Sequence, residues 1–261
     1  MYAPNPYSID DIVKYSSGKA CGSSLSYLVS RSESYNSAEE GKPIVYQGKA
    51  QKPSLYSQNN YSNQNRPVKT YYFTPNLFLN PIRPQTQFIN ATEQVQELIE
   101  EIFSSMIGKK LPQNISIKIC TKEELKEIHS RFGQWHEGIQ GFAVNDKDLK
   151  QIFAKNDHLD ALMLTIGHEI GHVYTSSLGN SHDEEAKAFS FAVEWANIIK
   201  KNNIGNLKEN IKDNLDFNPA KNGLHDIAFF FVKNLIDKGL KPMEVHWDLA
   251  NKYISLFSFY N

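Results

Sequence analysis

The chain is short of cysteine, of net charge and of long apolar runs. Two cysteines, Cys21 and Cys120, in 261 residues do not make a disulfide framework. The formal net charge is −1 with 22% charged residues, so nothing favours nucleic acid or an anionic membrane surface. No apolar stretch approaches the roughly eighteen residues that a membrane span needs. The first residues, Met1-Tyr-Ala-Pro-Asn-Pro-Tyr-Ser8, lack the basic-then-apolar pattern of a secretory signal, and no helix-turn-helix pattern is evident. The expected class is a soluble cytoplasmic protein with neither nucleic acid nor membrane as partner.

What is present changes character at about residue 88. Ser8–Tyr15 can form two helical turns with Ser8 as cap. From Ser16 to Arg66 the chain is rich in Ser, Asn, Gln, Gly and Tyr without a sustained period, too little to build a core of its own. Yet Tyr27, Leu28, Val45, Tyr46, Leu55, Tyr56 and Tyr71 to Phe73 supply more apolar surface than a free linker needs. Residues 1–88 are therefore expected to form an irregular arm across the body. Such an arm would serve as a prosegment of a zymogen, a substrate-like inhibitor, a partner-binding tail or structural wrapping. Cys21, in Gly18-Lys-Ala-Cys-Gly-Ser23, has the small neighbours that would let a thiolate reach a metal.

Residues 89–261 read as one domain in two halves. Asn90–Glu93 has the capping-box form, and Val95, Leu98, Ile99, Ile102, Phe103, Met106 and Ile107 follow at helical spacing up to Gly108. Ile115–Cys120 alternates as a strand does, and Thr121–Glu124 caps a second helix. Gly138–Asn145 and Gln151–Lys155 read as strands around the turn at Asp146 to Asp148. Asn156 or Asp157 then caps a long apolar helix that starts at Leu159. Beyond residue 181 the pattern is helical: one helix through Trp195 and Ile198, a short one at Leu207–Leu215, then Leu224–Lys238 and Pro242–Phe257. The fold class is α+β: a small mixed sheet with helices above a cleft (89–180) and an all-helical lower half (181–261).

The chemistry centres on His168-Glu169-Ile170-Gly171-His172. Positions four apart share a helix face, so His168 and His172 offer two ligands to a divalent ion that takes four. Glu169 lies about 100° round the helix, placed to hold a water without binding the ion. For a third ligand, Ser181-His182-Asp183-Glu184 has capping-box form, which gives Glu184 a structural task and leaves Glu185 over. Glu185 shares a stripe with the small residues Ala188, Ala192 and Ala196. The candidate ligands are His168, His172 and Glu185, with Glu184, Asp183 and His182 as lesser ones. The plain alternative is that the three acids complement the helix dipole. His129, His136 and His158 read as surface histidines.

Three pieces of the chain together resemble the gluzincin zinc metallopeptidases, including the minigluzincins and the ImmA/IrrE-type peptidases. They are Ile152-Phe-Ala-Lys-Asn-Asp157, Ile166-Gly-His-Glu-Ile-Gly-His172 and Glu185-Ala-Lys-Ala-Phe-Ser-Phe-Ala192. The likeness spans residues 114–196. It implies a zincin-like fold, one zinc ion on His168, His172 and Glu185, Glu169 as general base, and hydrolysis of a protein or peptide substrate. It also implies that residues 151–155 pair with the extended substrate by strand addition. Asn222-Gly-Leu-His225-Asp226 is similar to the helix start that carries the family's transition-state histidine, so His225 is a candidate oxyanion donor. Tyr174, His182 and His246 are alternatives for that task, and a surface histidine is the plain reading of His225. Two further classes stay open: a narrow-specificity regulatory protease of one intracellular partner, and a non-catalytic binding protein stabilised by its metal. Glu169 speaks against the second, because a structural metal needs no general base.

Overall fold

Residues 73–146, 150–213 and 224–257 are described by the computed structural model. The expected helix at Ser8–Tyr15, Cys21 and the loop 218–223 lie outside them. Among the described residues the strands are β1 Phe88–Ile89, β2 Ile115–Cys120, β3 Gly141–Asn145, β4 Lys150–Lys155 and β5 Asp157–His158. The α-helices are α1 Gln96–Ile107, α2 Lys122–His129, α3 Leu159–Val173, α4 Ser181–Asn202, α5 Leu224–Asp237 and α6 Pro242–Ala250. The architecture is thus mixed, with a small sheet among helices, and no described helix is long and apolar enough to cross a membrane.

The sheet runs β2-β4-β3, with β2 parallel and β3 antiparallel to β4. Side chains alternate across it. Ala143, Ile152, Ala154 and Ile119 enter the main core on the α3 side. Cys120, Phe142, Val144 and Phe153 form a smaller cluster with Leu125 of α2 on the other. Because β4 is paired on both sides, residues 151–155 have no free edge for a peptide, which corrects the expectation of strand addition there. Among the described residues the outer strands of this sheet are β2 and β3, each paired on one side only.

α3 is the centre of the main core and is buried from Asp160 to Val173, as its unbroken apolar sequence requires. It packs on β3 and β4 on one side and on α4 on the other, while α5 and α6 cover α4. Two glycines permit the α3–α4 approach. A Cβ on Gly171 would stand 2.8 Å from Ala188 Cα, and one on Gly167 would stand 2.5 Å from the Trp195 ring.

Several boundaries differ from the sequence reading for local reasons. α3 is preceded by His158 rather than capped by Asn156 or Asp157, because Asp157 and His158 pair with Phe88 and Ile89. α1 starts only at Gln96, after a 3-10 turn at Thr92–Gln94 in which the Gln94 side chain accepts from the Asn90 and Ala91 amides. β3 starts at Gly141, three residues later than expected from Gly138. Of the expected helix at Leu207–Leu215 the described residues 207–213 hold no α-helix: Asn203, Gly205 and Asn206 take positive φ, 3-10 turns stand at Ile204–Asn206 and Lys208–Asn210, and Ile211 bridges to Leu79. The last helix stops at Ala250, short of Phe257, where Lys252 takes a φ of 61° and the chain turns back.

The body also reaches further back than residue 89. Phe73, Phe78 and Leu79 belong to the main core. Arg83 Nε and Thr86 Oγ1 donate to the buried Asp160 carboxylate at 2.6 and 3.0 Å, and Asn210 Nδ2 joins them at 3.0 Å. Residues 73–89 are therefore fastened to the start of α3.

Candidate metal centre

The close approach of α3 and α4 brings His168, His172 and Glu185 together, each nearly inaccessible to solvent. His168 Nε2 stands 3.4 Å from Glu185 Oε2, and His172 Nε2 stands 3.8 Å from Glu185 Oε1. His225, on the first turn of α5, joins them with Nε2 3.3 Å from Glu185 Oε2. One donor atom each of His168, Glu185 and His225 lies within 4.8 Å of the other two. The group at ligand spacing thus joins two of the expected ligands, His168 and Glu185, to His225, while the third, His172, stands beside it with Nε2 toward the other Glu185 oxygen.

The residues fit a cation. Glu185 Oε2 is buried and has no hydrogen-bond partner, although it faces two imidazole nitrogens. An ionised oxygen buried in that state is costly unless a positive charge is supplied. Imidazole and carboxylate donors suit zinc and neighbouring divalent ions. His168 is held in the neutral form that ligates: burial, reinforced by His172, keeps its pKa well below the usual value.

The two histidines are oriented differently. The His172 Nδ1–H donates to Glu184 Oε1 at 3.1 Å, which turns Nε2 toward the site. His168 Nδ1 is buried without such a partner. Its ring is instead clamped by aromatic contact, stacked flat on Phe73 at 4.3 Å and met edge-on by Phe189 at 4.8 Å. Glu184 does not close a capping box, which corrects its expected task. Asn180 caps α4 by accepting from the His182 amide, and the inward-pointing Glu184 accepts from His172, from the Leu178 amide at 2.8 Å and from Lys187 Nζ at 2.9 Å. Burial would raise the Glu184 pKa, but these donors hold it below the ordinary carboxylate value.

Three side chains that the sequence reading passed over finish the end of α3. Lys187 Nζ donates to the carbonyls of His172 and Ser176, and Lys150 Nζ to that of Val173. Asn145 Nδ2 donates to the carbonyls of His172 and Thr175. They satisfy carbonyls that a helix end leaves open and complement its negative pole. The available signal was a lysine among Ala186, Ala188 and Phe189 on a buried helix.

Glu169 is buried, and burial pushes its carboxyl up to about 8. β3 passes directly over it: a Cβ on Gly141 would stand 3.3 Å from Glu169 Cγ and 2.8 Å from Thr165 Cγ2. The remaining candidates sit elsewhere. Asp183 accepts from Ser255 Oγ and the Leu256 amide, both at 2.7 Å, and so fastens the C-terminal turn. The His182 ring meets Phe257 edge-on. His246 is fully buried and donates from Nδ1 to the Lys187 carbonyl, while Tyr174 packs against Phe103 and Trp247. His129 is not a surface residue but is enclosed by Trp135 and Phe142, and His158 Nδ1 donates to the Thr86 carbonyl. A cavity of about 430 Å³ lined by Lys118, Ile128, Arg131, Phe132 and Phe153 lies at α2 and shares no residue with the site. Comparison of the chain with protein-family models, with curated proteins and with solved structures found no match in any of the three, so the site's own residues carry the functional argument.

Proposed function

We propose that the chain is a zinc-dependent peptidase of the gluzincin kind, with a zincin-like arrangement of sheet, metal helix and glutamate helix. The observation that carries this reading is the orphaned Glu185 Oε2 facing His168 and His225 beside an unligated acid, Glu169. His168, His172 and Glu185 would hold the ion. When bound, a divalent cation there polarises a carbonyl and acidifies a water. Glu169 takes up a proton at its carboxylate and passes it to the leaving amine. Burial raises the Glu169 carboxyl to about 8, and a cation beside it would draw that value down and favour the ionised form that accepts a proton.

Substrate positioning falls to β3 rather than β4. In the β3–β4 ladder Gly141, Ala143 and Asn145 are the non-bonded partners of Ala154, Ile152 and Lys150, as the bond from the Lys155 amide to the Gln140 carbonyl sets the alternation. Their amides and carbonyls point away from β4 toward the outer edge, and because Ala143 is only 1% exposed, a peptide adding there as a strand beside Glu169 would have to displace what covers that edge. The missing Cβ of Gly141 lets β3 lie this close to Thr165 and Glu169.

A second reading has one observation in its favour. His225 stands at ligand spacing from Glu185, and a closed set of protein donors is what a structural metal uses. The chain would then be a binding protein stabilised by its metal. The variant Glu169→Gln separates the two. It should bind zinc as the wild type does while losing about 100-fold or more of its peptide hydrolysis, the span that general acid–base catalysis supplies. Hydrolysis by Glu169→Gln at the wild-type rate, or a wild-type chain that takes up no zinc, would overturn the peptidase reading.

A further inference from the structure

The spacing around Glu185 Oε2 can be compared with what a metal imposes. Donors of a tetrahedral zinc ion bonded at 2.0–2.1 Å stand about 3.3–3.4 Å from one another. His168 Nε2 and His225 Nε2 flank Glu185 Oε2 at 3.4 and 3.3 Å, whereas His172 Nε2 stands 3.8 Å from the other oxygen, Oε1, and would have to close in to join them. A histidine that merely steadied an oxyanion would stand further out, since a substrate oxygen has to fit between it and the ion. At about 2.0 Å for the bond and about 2.8 Å for the hydrogen bond, that oxygen needs room which His225 now fills.

The position of His225 is set by packing. Glu185 and Phe189 lie one turn apart on α4, and His225 and Phe229 lie one turn apart on α5. The two helices meet as a pair of rungs: Phe189 against Phe229 edge-on at 5.2 Å, and Glu185 against His225. Ala228 and Val232 are fully buried beside these rungs, so the register that presents His225 belongs to the core. Of the four donors His225 is also the outermost, with 14% of its side chain exposed where those of His168, His172 and Glu185 show 3% or less.

We propose that His225 is a metal ligand, completing with His168, His172 and Glu185 a set of four protein donors. This rests on the metal reading of the preceding subsection and adds a state to it. With four donors a tetrahedral set is full, no position is left for a substrate carbonyl, and the site is closed. Turnover then requires His225 to withdraw, and its place at the rim makes it the one donor able to leave without opening the core.

The test uses the full chain, stripped with a chelator and reloaded with zinc. Affinity is read by competition with a chromophoric chelator, and the ligands are counted by X-ray absorption. The wild type should show three imidazoles and one carboxylate. His225→Phe keeps a ring beside Phe189 and should show two imidazoles, with affinity lower by on the order of 100-fold or more, since even loss of an outer partner costs about 10–100-fold. His225→Ala should do the same, and equal melting of the metal-free forms guards against misfolding. Unchanged affinity and an unchanged imidazole count in both variants would overturn the proposal and return His225 to the task of oxyanion donor. A wild-type chain that binds no zinc would take the underlying metal reading down with it.

Discussion

At the scale of single residues, the least replaceable group beside the donors is Glu184. It joins the His172 imidazole, the fully buried Lys187 ammonium and the Leu178 amide in one carboxylate. Glu184→Gln should weaken zinc binding by about 10–100-fold through His172. It should also lower unfolding stability by about 3–5 kcal/mol, because Lys187 is left charged and unmatched in the interior. Denaturant titration should show the double variant Glu184→Gln/Lys187→Met recovering much of that stability, while a chelator competition shows its zinc affinity still low. The common helix of His168, Glu169 and His172 was legible in the sequence, because helical spacing alone puts the two histidines on one face. Glu185 was legible by elimination, although the premise was wrong: Glu184 is excluded as a ligand by its bond to His172, not by a capping box. Phe73 and Lys187 were not legible as site residues, since their roles arise from contacts across the fold that no local pattern encodes.

At the scale of elements, the site depends on how closely two helices can lie. Gly171 meets the backbone of Ala188, with Ala188 O 2.9 Å from a Cβ placed on the glycine, and backbone cannot step aside. Gly171→Ala should therefore force α3 from α4, cost about 1–3 kcal/mol and weaken zinc binding, because His168 and His172 ride on one helix and Glu185 on the other. Gly167→Ala meets the Trp195 ring instead, further from the donors, and should cost comparable stability with a smaller loss of affinity. Thermal melting of the metal-free forms beside zinc competition resolves the two. Periodicity recovered α1, α2, α5 and the metal helix because their apolar faces repeat at the helical period. It failed at 207–213, just after left-handed Asn203, Gly205 and Asn206 have broken the chain into short turns, and at β4, whose central place depends on pairing with the more distant β2.

At the scale of the whole molecule, the segment 73–89 is part of the body. Phe73, Phe78 and Leu79 are core residues, each contributing roughly 1.5–3 kcal/mol on burial, against a total stability of about 5–15 kcal/mol for an ordinary domain. A chain beginning at Phe73 should melt cooperatively, and one beginning at Gln87 should not. A search for an inhibitory arm must therefore cut before Phe73, or lost folding will pass for lost regulation. The same segment sets the acid limit. Burial alone would raise the Asp160 pKa, but hydrogen bonds from Arg83, Asn210, Thr86 and the Ala161 amide outweigh it and leave the carboxyl below its ordinary value. Its stabilisation is full above the unfolded value of about 3.9 and is lost as pH falls through that toward the folded value. Melting temperature against pH should show this limb in the wild type and a flatter one in Asp160→Asn.

The proposed donors come from α3, α4 and α5, with the widest separation along the chain between α3 and α5. With His225 among the ligands, a bound ion is a clasp that closes the loop running from the metal helix to α5, a constraint the unfolded chain does not carry. Zinc at a thousandfold excess over its dissociation constant would add about 4 kcal/mol to the folded state. Removal of such an ion should free the α5 end of the clasp first, since His225 is the most exposed of the proposed donors. On the metal reading proposed above, the supply of free metal around the protein would control its lifetime as well as its chemistry.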